Sequence, residues 1–304
     1  MKVLFKTVLL FLPFSMYSEE LAFEKELLEF KETKQEIKNP VVKLIDVYDI
    51  RDMLRDKDPE IRKMAVKNSR RYINNSQIYE EILDIYSNDK ERIDIRIESA
   101  KALSYVGNIY KIKDEIEDKI EYGKLPLELK VISYKALWIS AESFSETTDF
   151  LVSRLKYDEK DSNLKKAIIW AMFSVSNNSR VNDLLIDIIK YGKEDNSIKI
   201  EAIKSLYNAM GNSRVKDVVY DIAKYNTSVE DKELRKTAIY ALSARNMESS
   251  IKNFLEDLIK HDNDKEIKEV ALKAYNPDPF EIYDFFHLSY KTQNGAFFNP
   301  IEKQ

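Results

Sequence analysis

The side chains able to do chemistry in this chain are of few types. His261 and His287 are its whole supply of imidazole, and cysteine is absent. Disulfides, thiolate metal sites and a cysteine nucleophile are therefore excluded, and an imidazole-held zinc or iron ion has too few ligands. No Ser-His-Asp set, glycine-rich phosphate loop or metal-spaced carboxylate cluster stands out, so neither catalytic residues, a metal site nor a cofactor is assigned. The many Asp and Glu residues read as solvated helix faces or as partners of Lys one helical turn away. What remains is binding chemistry. Trp138, Trp170, Phe173, Tyr207 and Tyr240 could supply rigid contact area, and Lys101, Lys135 and Lys204 could supply charge. Rings interleaved with lysines suit an extended acidic or amphipathic protein or peptide segment. A glycan strand could stack on the same rings.

Something must hold residues so far apart in sequence on one surface, and the sequence supplies it as a repeat. Gly and Pro are sparse, at 5 and 7 residues, and the chain is 34% charged and 44% apolar. That composition favours long helices over a turn-dense β fold. One phrase recurs: an aliphatic residue, a base, two variable residues, a small or aliphatic residue, two more, then small-plus-large. Its anchors are Ile61, Ile95, Leu129, Leu164, Ile198, Leu234 and Ile267, each followed by Arg or Lys. The places 0, +4, +7 and +8 of the phrase share one stripe of a 3.6-residue helix, which predicts a buried face. The apolar segment upstream of each phrase, such as Leu184 to Tyr191 or Val218 to Tyr225, predicts a first helix against which the second packs. Asp58, Asp161, Asp195, Asp231 and Asp264 stand three residues before their anchors, where a short acceptor caps the second helix. Gly192 and Asn226 stand where first helices end.

The pattern Asp-x-x-[Ile/Leu]-[Arg/Lys]-x-x-[Ala/Ser] resembles the short bacterial HEAT repeats, the group that includes the phycobilisome-lyase type. The likeness runs over about residues 45–275. It is weakest in repeat three, where Pro126 replaces the Asp, and repeat four, where Ile168 replaces the small residue. Tetratricopeptide repeats share the period but need small residues in both helices, and here the first helices carry bulky Leu, Ile and Phe. The resemblance implies an all-α solenoid, a right-handed superhelix of about seven helical hairpins whose second helices line the concave wall. Positions +2, +6 and +9 after each anchor would then look into the groove. The +6 row holds Lys101, Lys135, Trp170, Lys204 and Tyr240, and the +9 row holds Trp138, Phe173 and Tyr207. A second reading buries these rings as packing between repeats. The regular bases Arg62, Arg96, Lys130, Lys165, Lys199, Arg235 and Lys268 read as a structural ladder, pairing with the Asp of successive repeats or with helix ends, rather than an anion track. Iron-holding and DNA-handling relatives of this repeat class need paired His-Glu motifs or a basic groove, which the chain lacks. A bilin-lyase-like activity stays formally open, and the chain is otherwise read as no enzyme.

The ends differ from the middle. Lys2 and Lys6 precede an apolar run from Thr7 to Tyr17, the pattern of a secretory signal peptide over residues 1–18. An uncleaved anchor and a packed N-terminal helix are the alternatives; the run is short for a membrane span. Removing residues 1–18 takes the net charge from −4 to −6, which argues against a nucleic-acid partner. Residues 19–44 suit an amphipathic capping helix, and residues 276–304 form a tail rich in aromatics and proline. That tail either packs over the last repeat or serves as a docking segment. The expected protein is an exported, periplasmic or cell-envelope scaffold with no membrane span after cleavage. It would bind a protein or peptide on its concave face, with an envelope glycan such as peptidoglycan as the alternative ligand.

Overall fold

The computed structural model describes residues 46–286 with the strand residues 290–291 and 297–298. By its internal contacts the chain divides into residues 1–45 and 46–304, and the array is the second unit. The expected signal peptide and capping helix lie outside the described residues. Seven hairpins follow one another. The first pairs α1 (Val47–Leu54) with α2 (Pro59–Asn68), the second α3 (Ser76–Ser87) with α4 (Ile93–Leu103), and the third α5 (Tyr110–Tyr122) with α6 (Leu127–Ala136). A short α7 (Trp138–Ser143) intervenes before α8 (Ser145–Ser153) and α9 (Ser162–Ala171). The rest are α10 (Ser179–Lys190) with α11 (Asn196–Ser205), α12 (Ser213–Tyr225) with α13 (Lys232–Ala241), and α14 (Ser249–His261) with α15 (Lys265–Tyr275). Helix α16 (Pro279–Phe285) and a two-residue antiparallel strand pair in the tail complete the described chain.

Local chemistry sets the helix ends. The carboxylates of Asp58, Asp161, Asp195 and Asp264 accept backbone N–H groups in the first turns of their second helices, satisfying donors that have no partner inside the helix. Asp231 stands at the same place but does not cap; it accepts instead from the Asn196 amide of the preceding repeat at 2.9 Å and from the Ser228 hydroxyl. The first helices have their own caps, which the sequence reading passed over. Asn75, Asn178 and Asn212 accept from the N–H groups of Gln77, Arg180 and Arg214. After α10 the chain turns so tightly that a Cβ on Gly192 would lie 2.6 Å from the Ile188 carbonyl oxygen. Glycine is required there by close approach, not by a left-handed backbone.

Packing follows the repeated phrase. Its small or aliphatic fifth residue is sealed from solvent in every repeat: Ala65, Ser99, Ser133, Ile168, Ala202, Ala238 and Ala271 are each 0% exposed. The buried Ser99 and Ser133 hydroxyls donate to the carbonyls of Ile95 and Leu129 in their own helices, so neither is left unsatisfied. Successive second helices lie close together along the array, whereas successive first helices touch much less. The second-helix layer is therefore the inner side of the curve.

Four of the bases that follow the anchors bridge repeats, and Lys268 donates to the Lys260 carbonyl of its own hairpin. Arg62 donates to Glu91 at 2.7 Å, Lys130 meets Glu159 at 3.4 Å, Lys165 meets Glu194 at 2.6 Å and Arg235 meets Asp262 at 2.8 Å. Each acid lies in the turn of the next hairpin and is not the capping Asp. Burial pushes the Glu91 carboxyl up, yet the Arg62 hydrogen bond holds it below the usual carboxylate range. Arg96 departs from the pattern by donating to the Tyr86 carbonyl and to Asp89 within its own hairpin. The ladder is structural.

A cap test follows. Asp161→Ala removes the acceptor for the Asn163 and Leu164 N–H groups and should lower unfolding stability by about 1 kcal/mol, while Asp161→Asn should stay within a few tenths. Urea denaturation followed by circular dichroism measures both.

Candidate functional site

Four consecutive second helices build a groove of about 650 Å³ on the inner wall. Helix α4 contributes Ile97 and Lys101, α6 contributes Val131 and Lys135, α9 contributes Lys166 and Trp170, and α11 contributes Glu201. The repeat explains the placement: these residues occupy the second, third and sixth places after their anchors, on the side of each helix turned from its own hairpin partner. Ile97 and Val131 are half-buried and form an apolar floor between the lysines.

The electrostatics of the groove favour an anionic visitor. Lys101 lies 3.5 Å from Glu98, and the Lys135 ammonium sits 5.4 Å from the centre of the Trp170 ring, a cation–π contact. Burial pushes the Lys135 ammonium down; Glu201 opposes the shift, and Lys166 and Lys101 add to it. Lys166 makes no ion pair among the described residues. Burial pushes the Glu201 carboxyl above the usual carboxylate range against the pull of Lys204, Lys135 and Lys166. Its Oε1 is enclosed and accepts no hydrogen bond among the described residues.

The rings expected as open anchors are placed otherwise. Trp138, Trp170 and Phe173 are 1%, 2% and 3% exposed. Phe173 stacks on Trp138 with ring centres 5.3 Å apart and meets Trp170 edge-on at the same distance. These three rings are packing between repeats three and four, and of them Trp170 alone lines the groove. The ninth places of most repeats lie in 3-10 turns that follow the second helices, and Trp138 opens the extra helix α7. The row is therefore turned inward instead of continuing the helical stripe.

Tyr207 and Tyr240 are covered by the chain itself. Phe286 stacks on Tyr207 at 4.1 Å, Phe285 meets Tyr240 edge-on at 4.9 Å, and the Lys204 ammonium sits 4.5 Å above the Phe285 ring. Burial, with the charges of Glu281 and Asp278 nearby, pushes the Tyr240 hydroxyl up to about 12. The described helix of the tail, α16, thus packs on the inner wall over repeats five and six and reaches the last repeat through Glu281 and Lys273. Of the predicted binding residues, the groove brings together Lys101, Lys135 and Trp170. Lys166 and Glu201 complete it; Lys166 stands in a row the sequence marked as inward-facing, whereas Glu201 carried no signal.

Residues 182–276 match the family model of HEAT repeats, and helical hairpins of the same kind recur through the described residues upstream of that match. This stretch is a run of HEAT repeats. The helical array is also similar to the complex of CpcE and CpcF of phycocyanin lyase from Nostoc sp. PCC7120, at 13% identity and a TM-score of 0.45, over 83% of this chain and 98% of that one. A second likeness is to the E. coli protein YibA, at 15% identity and a TM-score of 0.36, over 80% of this chain and 100% of that one. A search of the curated proteins finds no match.

Elsewhere in the HEAT array, His261 lies in a cleft of about 490 Å³ at the turns of repeats six and seven. Its charged neighbours are already committed, Arg235 to Asp262 and Lys232 to Asp264 at 2.9 Å. Among the described residues no group of three or more His, Asp or Glu is arranged to hold a metal ion. Among the same residues no helix is long and apolar enough to cross a membrane.

The burial of Trp138 sets an outcome that separates packing from an open anchor. Trp138→Ala empties a sealed site and should cost about 3–5 kcal/mol, whereas Lys101→Ala on the groove rim should stay within about 0.5 kcal/mol. Thermal melting of the two variants reads the difference, and an unchanged melting point for Trp138→Ala would return that ring to the surface.

Proposed function

We propose that this chain is an exported HEAT-repeat scaffold of the cell envelope that binds a protein or peptide partner on its inner wall. The observation that carries the reading is the groove over repeats two to five, which has an apolar floor and lysines from three successive helices. Such a surface works by display: the array holds cationic and apolar contacts at fixed spacing, and small rotations between repeats adjust it to a ligand. No chemical step is assigned to it, because the groove offers charge and contact area and its carboxylates are not paired for acid–base work. Export rests on Lys2, Lys6 and the apolar run before Ser18. A glycan ligand finds less support, since the faces of Trp138, Trp170 and Phe173 that could stack on sugars are buried.

Two exposed positions test the reading in the native setting. Leu127 is 47% exposed on the groove rim, and Tyr122 is 77% exposed at the end of a first helix. A photo-reactive benzoylphenylalanine at position 127 should yield a discrete protein adduct that the same group at position 122 does not. Adding Lys101→Glu and Lys166→Glu should reduce that adduct roughly fivefold or more. Equal labelling from both positions would overturn the groove as the binding face. Deleting residues 1–18 should retain the protein in the cytosolic fraction, and unchanged fractionation would overturn export.

A further inference from the structure

We infer that the segment this groove accepts is a short acidic and aromatic helix, of the same chemistry as the chain's own α16; the inference rests on the proposed partner-binding role of the inner wall. Helix α16 is an occupant of that wall already in view. Residues 278–286 hold Asp278, Glu281 and Asp284 with Phe280, Ile282, Tyr283, Phe285 and Phe286, and contain no base. The helix is started by Asp278, which accepts the Phe280 N–H, and by Pro279 in its first turn. Its apolar side is seated firmly: Phe286 is fully buried and Ile282 nearly so. Its contacts include the ion pair of Glu281 with Lys273 at 2.8 Å and those of Phe285 and Phe286 with Lys204, Tyr207 and Tyr240.

The repeat carries this recognition over to the groove. Lys204, Tyr240 and Lys273, the contacts of α16, all stand at the sixth place after their anchors. Lys101, Lys135 and Trp170 are the sixth-place residues of repeats two, three and four. The same wall therefore presents sixth-place ammonium groups twice, once under α16 beside the Tyr240 ring and once in the groove, where the sixth-place ring, Trp170, is buried beneath Lys135. The two stretches differ in what lies beneath. Under α16 the ring of Tyr207 receives Phe286, whereas in the groove Ile97 and Val131 form the floor and Lys166 adds a charge with no ion pair among the described residues. An incoming helix with carboxylates on one edge and aromatic or aliphatic side chains on the other meets both features. Carboxylates answer the ammonium groups, and apolar side chains cover the half-buried floor.

The probe is a fluorescent peptide of residues 278–286, titrated into the full chain and followed by anisotropy. Saturable binding is expected, weakened about tenfold by Lys101→Glu with Lys166→Glu and unchanged by Lys252→Glu on a first helix. A peptide with lysine in place of its three acids should not bind. Binding that ignores the groove substitutions, or equal binding of the charge-reversed peptide, overturns the inference. So does binding that appears only when Phe285→Ala and Phe286→Ala vacate repeats five to seven, because it puts the peptide in the place of α16. Absence of any binding, with position-specific photo-labelling at 127 retained, overturns the acidic-aromatic chemistry and leaves the scaffold reading standing. Loss of both removes the two together.

Discussion

A hairpin of two helices of about ten residues cannot cover its own apolar face, and the whole array is arranged around that deficit. Each second helix is closed over by the next, and the closure depends on the row from Ala65 to Ala271 that is sealed in every repeat. Where that row holds Ala or Ser the neighbouring backbones approach closely. Where it holds Ile168 the surroundings change instead, and it is in this part of the array that α7 replaces the usual 3-10 turn and that Trp138, Phe173 and Trp170 fill space. Burying a large side chain contributes about 1.5–3 kcal/mol, so these interfaces, repeated along the chain, outweigh what any single hairpin could supply. Stability of this kind is a sum over neighbours.

The polar residues arrange themselves around the same closure. In four repeats the base beside the anchor reaches over the interface to the acid in the next turn, and in doing so it orients one hairpin upon another. The Arg235–Asp262 pair has both side chains mostly shielded from water, where a mismatched register would leave a charge desolvated without a partner. Such pairs add modest net stability but penalise slippage along the array. That restraint keeps the sixth-place residues of successive repeats aligned on one wall, which is the condition for a groove shared by four helices.

Much of this is legible in sequence because a repeat is a local rule applied many times. The anchors, the sealed row, the Asp caps and the structural character of the bases follow from spacing and side-chain type alone. The extrapolation fails where the helix stops. A wheel drawn through the ninth place assumes a helix that continues, yet most second helices tighten into a 3-10 turn by then, as at Phe173, and Trp138 instead opens α7; both rings are buried in the interface. Asp231 failed as a cap because Asn196 of the preceding repeat competes for its carboxylate, a contact between residues distant in sequence. The seat of α16 was illegible for the same reason: Asp278 and Pro279 announce a helix start, but nothing local says which repeats receive Phe285 and Phe286.

The tail changes what the inner wall means. A wall that ran uncovered through all seven repeats would present a long strip of rings and lysines, and contiguous apolar surface of that extent favours unspecific association. By folding α16 over Lys204, Tyr207 and Tyr240 the chain satisfies the most aromatic stretch internally. What is left open is shorter, more cationic and bounded at one end by Glu201, whose enclosed carboxylate ends the run of positive charge. A ligand that reaches past Glu201 must contend with α16, whereas one confined to repeats two to five need not. Specificity on this wall therefore arises as much from what the chain covers as from what it exposes.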